Sequence, residues 1–100
     1  LKAGDIPLRL GVWGAAVSNA GTNATLSIGS TGNVAFFVGG IDLKGTALTS
    51  GGVGQSYPSS AANLMSPLPF DTTVTATYAE AGSASSSGGP WTVVMEVLSI

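Results

Sequence analysis

Residues 24–38 read ATLSIGSTGNVAFFV, and this stretch decides the fold class. Ala24, Leu26 and Ile28 alternate with Thr25 and Ser27, the two-residue period of a strand with one buried face. Ser30 to Asn33 (STGN) then sets a Gly-Asn pair between two apolar runs, which is a hairpin signal. Val34, Ala35, Phe36, Phe37 and Val38 follow without a polar interruption, the pattern of a strand apolar on both faces. The segment is therefore expected to form a β-hairpin.

The same period recurs on both sides of that hairpin. Ile6, Leu8, Leu10 and Val12 are expected on one face of a first strand, with Arg9, Gly11 and Trp13 on the other, and apolar residues on both faces near Trp13 predict cover on two sides. Ser18 to Asn23 (SNAGTN) is dense in turn formers and should reverse the chain. Gly39-Gly40 is expected to break the strand that precedes it, and Ile41 to Leu48 fits either a short edge strand or a helical turn. Thr72 to Tyr78 (TTVTATY) reads as a strand with Val74, Ala76 and Tyr78 on one face. Gly82 to Gly89 (GSASSSGG) reads as a polar, flexible tip leading to a last strand, Trp91 to Ile100, in which Trp91, Val93, Met95 and Val97 oppose Thr92, Val94, Glu96, Leu98 and Ile100. Pro90 directly before Trp91 marks the tryptophan as an anchor at the strand entry. The expectation is one all-β domain over residues 1–100, a β-sandwich, jelly roll or small barrel of five to eight strands.

The composition restricts what such a domain does. A chain of 100 residues supports a single core. Charged residues make up 8% of it, against about 25% in ordinary soluble domains. So thin a charged coat predicts that much of the exterior faces other protein. Three basic residues (Lys2, Arg9, Lys44) stand apart from one another among five acidic ones (Asp5, Asp42, Asp71, Glu80, Glu96). Nucleic acid is therefore not an expected partner, because its affinity rests on clustered Lys and Arg. No apolar run approaches the ~20 residues of a membrane-spanning helix, so no membrane partner is expected either. The chain opens at Leu1 with no signal-peptide pattern, which reads as a processed or trimmed product and leaves room for an N-terminal arm upstream.

No enzymatic chemistry is expected. The chain has no His and no Cys, the residues at the centre of the common nucleophile-base pairs and transition-metal sites. The five carboxylates are scattered singly, which fits neither a catalytic pair nor the closely spaced oxygen ligands of a calcium site. The Gly-Gly pairs lack the Lys-Ser or Lys-Thr and the following helix of a phosphate loop. No catalytic residue, metal or cofactor is assigned. Asn23-Ala24-Thr25 matches a glycosylation sequon, a pattern of consequence only in a eukaryotic secretory setting.

The expected work is protein contact, and its candidate residues are Trp13, Tyr57, Leu64, Met65, Leu68, Phe70 and Trp91. Most of them lie in Thr49 to Phe70, a long irregular stretch whose apolar load and prolines at 58, 67 and 69 predict docking against a surface. Trp13, Tyr57, Tyr78 and Trp91 also have the chemistry of a sugar-binding platform, although packing is the commoner fate of aromatics on strands. Arg9 and Glu96, both among apolar neighbours, are a conceivable ion pair, within the chain or across a subunit contact.

The runs DTTVTATYAEAG (71–82) and PWTVVMEVLSI (90–100), joined by a small polar tip, look like the closing hairpin of small β-rich virion proteins of tailed bacteriophages. GTNATLSIGSTGNVAFFVGGIDLKGT (21–46) resembles the same class. The resemblance is one of pattern and covers roughly two thirds of the chain. It implies a capsid decoration (cement) or head-fibre protein on the outer capsid surface of a virion. Such a protein commonly forms a homotrimer, so the implied partners are further copies of itself and the major capsid protein. The alternative from another class is a receptor- or glycan-binding tip of a tail or head fibre.

Overall fold

In the computed structural model, which describes residues 1–44 and 62–99, the chain is all-β: five strands in two sheets. The strands are β1 (Ile6–Gly14), β2 (Asn23–Ser30), β3 (Asn33–Asp42), β4 (Val74–Ala81) and β5 (Trp91–Leu98). One sheet pairs β1 with β5, and the other has the order β3-β2-β4; each pairing is antiparallel. A shared core of Leu10 and Val12, Leu26 and Ile28, Phe37 and Ile41 lies between them, with Val93 and Met95 packed against it. Fully burying each aliphatic or aromatic side chain stabilises by about 1.5–3 kcal/mol.

The hairpin of β2 and β3 forms as the alternation predicts, with Ala24, Leu26 and Ile28 all buried. The turn itself is Thr31-Gly32, since Ser30 pairs with Asn33. Between the pairs Ile28↔Val38 and Ser30↔Asn33, β2 advances two residues (28 to 30) and β3 five (33 to 38), so β3 carries three extra residues there. This excess swings Val34 and Ala35 out to solvent and leaves only Phe37 and Val38 in the core. Continuous apolar sequence here does not mean cover on both faces. Nor does Gly39-Gly40 end the strand: pairing resumes at Leu26↔Ile41 after a bulge, with Gly40 at a φ of 69° that glycine adopts without strain. Ile41 and Asp42 thus complete β3, and Gly45 to Leu48 lie outside the described residues.

A bulge also corrects the faces of β1. The register steps from Pro7↔Val97 to Arg9↔Glu96, so Leu8 is the extra residue. Pro7 then takes the fully buried place expected for Leu8, while Ile6 and Leu8 are only half-buried.

The larger correction concerns the last two strands, which do not pair with each other. β4 pairs with β2 and β5 with β1, in different sheets. The tip that joins them is stitched onto the β1–β2 connection instead. Backbone N–H groups of Thr22, Gly21 and Asn19 donate to the carbonyls of Ala81, Ser83 and Ser87 at 2.9, 2.9 and 3.2 Å, and Gly89 donates to Ala16 at 2.8 Å. Glycine permits the closeness: a Cβ on Gly82 would meet Thr22 Oγ1 at 2.5 Å, and one on Gly21 would meet Ser83 Oγ at 2.4 Å.

Gly29 is the tightest backbone-to-backbone crossing within a strand, because a Cβ there would lie 2.2 Å from the Asn33 carbonyl and 2.4 Å from that of Val34. Gly29→Ala is expected to cost about 1–3 kcal/mol of unfolding free energy by urea denaturation, the usual penalty for forcing atoms into a packed site. Gly32→Ala, with open space around the new methyl, should cost less than half as much. Equal costs would show that β3 does not fold over β2 this closely.

Candidate functional site

Two sheets joined this way have two long margins, and the chain treats them differently. Along the β1 and β3 margin, residues 62–72 act as a seal. Ala62 N–H donates to the Phe37 carbonyl, Met65 N–H to that of Pro7 and Leu68 N–H to that of Asp5. Leu1 and Thr72 exchange backbone hydrogen bonds of 2.7 and 2.9 Å. Asn63 and Met65 hold positive φ angles of 59° and 62° in this seal. Leu68 fills the core at 3% exposure and Leu64 is half-buried against it, whereas Met65 remains 71% exposed. Phe70 is exposed with its ring 6.1 Å from that of Phe36, and Phe36 meets Phe37 edge to face at 5.0 Å.

The opposite margin, between β4 and β5, has no such seal among the described residues. Successive inward positions of both strands line one trough. At one end Val74 and Ala76 from β4 face Val93, Met95 and Val97 from β5 across an apolar cleft of about 300 Å³ with Ile28 in its lining, and Leu1, held by Thr72, reaches that lining too. At the other end Tyr78 and Trp91 face each other across a groove of about 370 Å³, rimmed by Ser18 and Ser85 to Ser87. Among the described residues both flanking strands are edges: β4 ends the order β3-β2-β4, and β5 has β1 on one side only.

A hydrogen-bond network orders the polar end. Tyr78 hydroxyl donates to Glu80 Oε2 at 2.5 Å, and Ser85 N–H donates to Glu80 Oε1 at 3.2 Å. Tyr78 and Glu80 share one face of β4 because they stand two residues apart. The Tyr78 hydroxyl, then the Ser85 hydroxyl and the Ser85 amide, hold the Glu80 carboxyl below the ordinary glutamate range, since each stabilises the charged form. Asn19 fixes the serines: its Oδ1 accepts from Ser86 N–H and Ser87 N–H at 2.9 and 3.1 Å, and its Nδ2 donates to Ser86 Oγ at 3.0 Å. The tip expected to be a flexible hairpin end is tied down at every one of these points.

A second surface is the outer face of the β1–β5 sheet. Trp13 opposes Thr92, Gly11 opposes Val94 and Arg9 opposes Glu96. Trp13 is 44% and Leu98 51% exposed, so the cover expected on this side is not supplied by the described residues of the chain. The Arg9 and Glu96 pair does form, at 3.3 Å in the open. Exposed pairs of this kind contribute about 0–1 kcal/mol.

Of the residues singled out from sequence, Trp91 lines the groove and lies over Gly14, where a Cβ would meet its ring. Trp13 stands on the outer face, Met65 and Phe70 are exposed beside the seal, and Leu64 and Leu68 pack on the chain's own core. Tyr57 lies outside the described residues. The sequence reading missed Ser18, Asn19, Glu80 and the serines as a constellation. Its signal was Tyr78 and Trp91, both named among the aromatics with the chemistry of a sugar-binding platform. No group of three His, Cys, Asp or Glu suited to a metal ion occurs among the described residues, and no helix there is long and apolar enough to cross a membrane. Comparison with protein families, curated proteins and solved structures finds no match.

Because its folded pKa is lowered, Glu80 adds to the order of the tip above the ordinary glutamate value and loses that contribution as pH falls through the lowered one. The amide signal of Ser85 in a nitrogen-proton correlation spectrum is therefore expected to titrate with a midpoint below the ordinary value. Glu80→Gln should remove that titration. A midpoint at or above the ordinary value would mean that the Tyr78 and Ser85 hydrogen bonds are not kept in solution.

Proposed function

We propose that this chain is a structural virion protein of the decoration type, which binds the outer capsid lattice as a homotrimer and stabilises it. The observation that carries the reading is the unsealed margin between β4 and β5. Two edge strands flank an apolar cleft in a chain with 8% charged residues. Edge strands with free donors and acceptors invite pairing with another chain, and natural proteins blunt them with charge, proline or cover. β4 carries one charged residue, Glu80, at its polar end. A symmetric assembly that closes on itself supplies cover for such edges. In this reading the two sheets are an open β-sandwich that a neighbouring copy completes.

The outer face of β1 and β5 then serves the capsid. It offers a large aromatic, Trp13, with Val94 and Leu98 around a surface pair of charges, and tryptophan is enriched among residues that dominate contact energies. The resemblance of 21–46 and of 71–82 with 90–100 to phage virion proteins supports the placement on a virion. Mass action suffices for the mechanism: a ligand of the assembled shell alone stabilises it by about 2.7 kcal/mol per site at a hundredfold excess over its dissociation constant.

Two variants separate the surfaces. Val74→Lys with Ala76→Lys puts charge into the cleft from an exposed edge strand, and should weaken trimerisation at least about tenfold with the circular dichroism spectrum unchanged. Trp13→Ala should release the protein from capsids, in a co-sedimentation assay, while the trimer persists. A wild-type chain that sediments as a monomer at micromolar concentration, and an image of the parent particle with no copy on its outer surface, would remove the proposal.

A further inference from the structure

The polar end of the trough has a different chemistry from the rest, and we propose that it is a binding site for a single neutral pyranose ring. Its volume of about 370 Å³ is at the low end of the roughly 300–1,000 Å³ of small-molecule sites, which suits one sugar rather than an extended ligand. The two aromatics come from different sheets, Tyr78 from β4 and Trp91 from β5. A pyranose is amphipathic in the same way as such a lining. Its C–H face packs on aromatic carbon, and its hydroxyls reach outward to polar groups at the rim.

Those polar groups are held before any ligand arrives. Asn19 clamps Ser86 and Ser87 through three hydrogen bonds. Ser86 Oγ accepts from Asn19 Nδ2, which leaves the hydroxyl its own proton to donate. Gly88, at a φ of 144°, lets the loop close on Ser18, where a Cβ would come within 2.9 Å of Ser18 Cα. A preformed rim spares the cost of ordering rotamer-rich side chains, about 0.5–1.5 kcal/mol each.

Charge narrows the ligand to a neutral one. Neither Lys nor Arg is among the groove's lining residues, and the nearest ionised group on the same strand face is the Glu80 carboxylate, bonded to Tyr78 and Ser85. A phosphate or an acidic sugar would meet a like charge with no cation in the lining to offset it, the Lys44 ammonium being held by the Ala20 carbonyl instead. One carboxylate is too few for a calcium cage, which draws on six to eight oxygens. What remains is a ligand that exchanges hydroxyl hydrogen bonds and offers an apolar face.

The test is a titration of the nitrogen-15-labelled full chain, followed by nitrogen-proton correlation spectra. The probes are the methyl glycosides of glucose, galactose and mannose, each taken to about 50 mM, with glycerol as the polyol control. At least one glycoside is expected to shift the amides of Ser85 to Gly88 and the indole N–H of Trp91 saturably, and glycerol to leave them in place. Tyr78→Ala and, separately, Ser86→Ala should weaken that binding at least about tenfold, whereas Val34→Lys, exposed on β3 and outside the trough, should leave it unchanged. Silence from all three glycosides overturns the proposal, as does an equal response to glycerol or undiminished binding in both Tyr78→Ala and Ser86→Ala.

Discussion

The arrangement depends on the crossing at which residues 81–89 zip onto residues 16–22. Eight residues, 82–89, of small and polar character could have closed a hairpin between β4 and β5. They carry the chain from one sheet to the other instead, because backbone hydrogen bonds to the β1–β2 connection compete for the same donors and acceptors. A buried or half-buried peptide group left without a partner costs about 1–3 kcal/mol. The zipper satisfies several such groups at once, and the positive φ angles of Gly82, Gly88 and Gly89 let the chain follow it. Once the crossing is made, β4 can pair only with β2 and β5 only with β1.

An asymmetry between the two margins follows. The β1 and β3 side is sealed by residues 62–72, which return Leu68 to the core and hydrogen-bond to Asp5, Pro7 and Phe37. The β4 and β5 side is the one the crossing pulls apart. Every residue of β4 except Thr75 is exposed, and Thr75 Oγ1 is buried with no hydrogen-bond partner. Val74 and Ala76 on this margin are exposed and cannot be explained as core, and the thin charge of the chain offers little to solvate them.

Local pattern was legible in the sequence, and connection between patterns was not. The alternation of Ala24, Leu26 and Ile28 gave their burial, and the spacing of Val74, Ala76 and Tyr78 gave a common face. The bulges escaped, because a bulge depends on where a partner strand's residues fall: Leu8 is displaced by its pairing with β5, and Val34 by the crossing over Gly29. The pairing of β4 and β5 was misjudged for a related reason, since adjacency in sequence favours a hairpin unless a third segment claims the loop. Asn19 is that third segment, and nothing in its own neighbourhood marks it as the clamp of serines 67 and 68 residues away. The polar groove was hidden by the same distance, its lining coming from β4, from β5 and from two connections.

The trough is apolar at one end and hydroxyl-rich at the other, and the reason lies in the distance from the crossing. Near the tip, the two connections bring many backbone groups and short polar side chains together, and their mutual hydrogen bonds make that end polar. Away from it, strand side chains and Leu1 make the lining, and on the inward faces of the strands those are valine, methionine, alanine and isoleucine. A partner that covers the apolar end gains from burial without having to desolvate the network at Glu80. Contact with protein at one end and a small polar ligand at the other are therefore compatible on a single margin, because the energetic cost of covering each end is independent of the other.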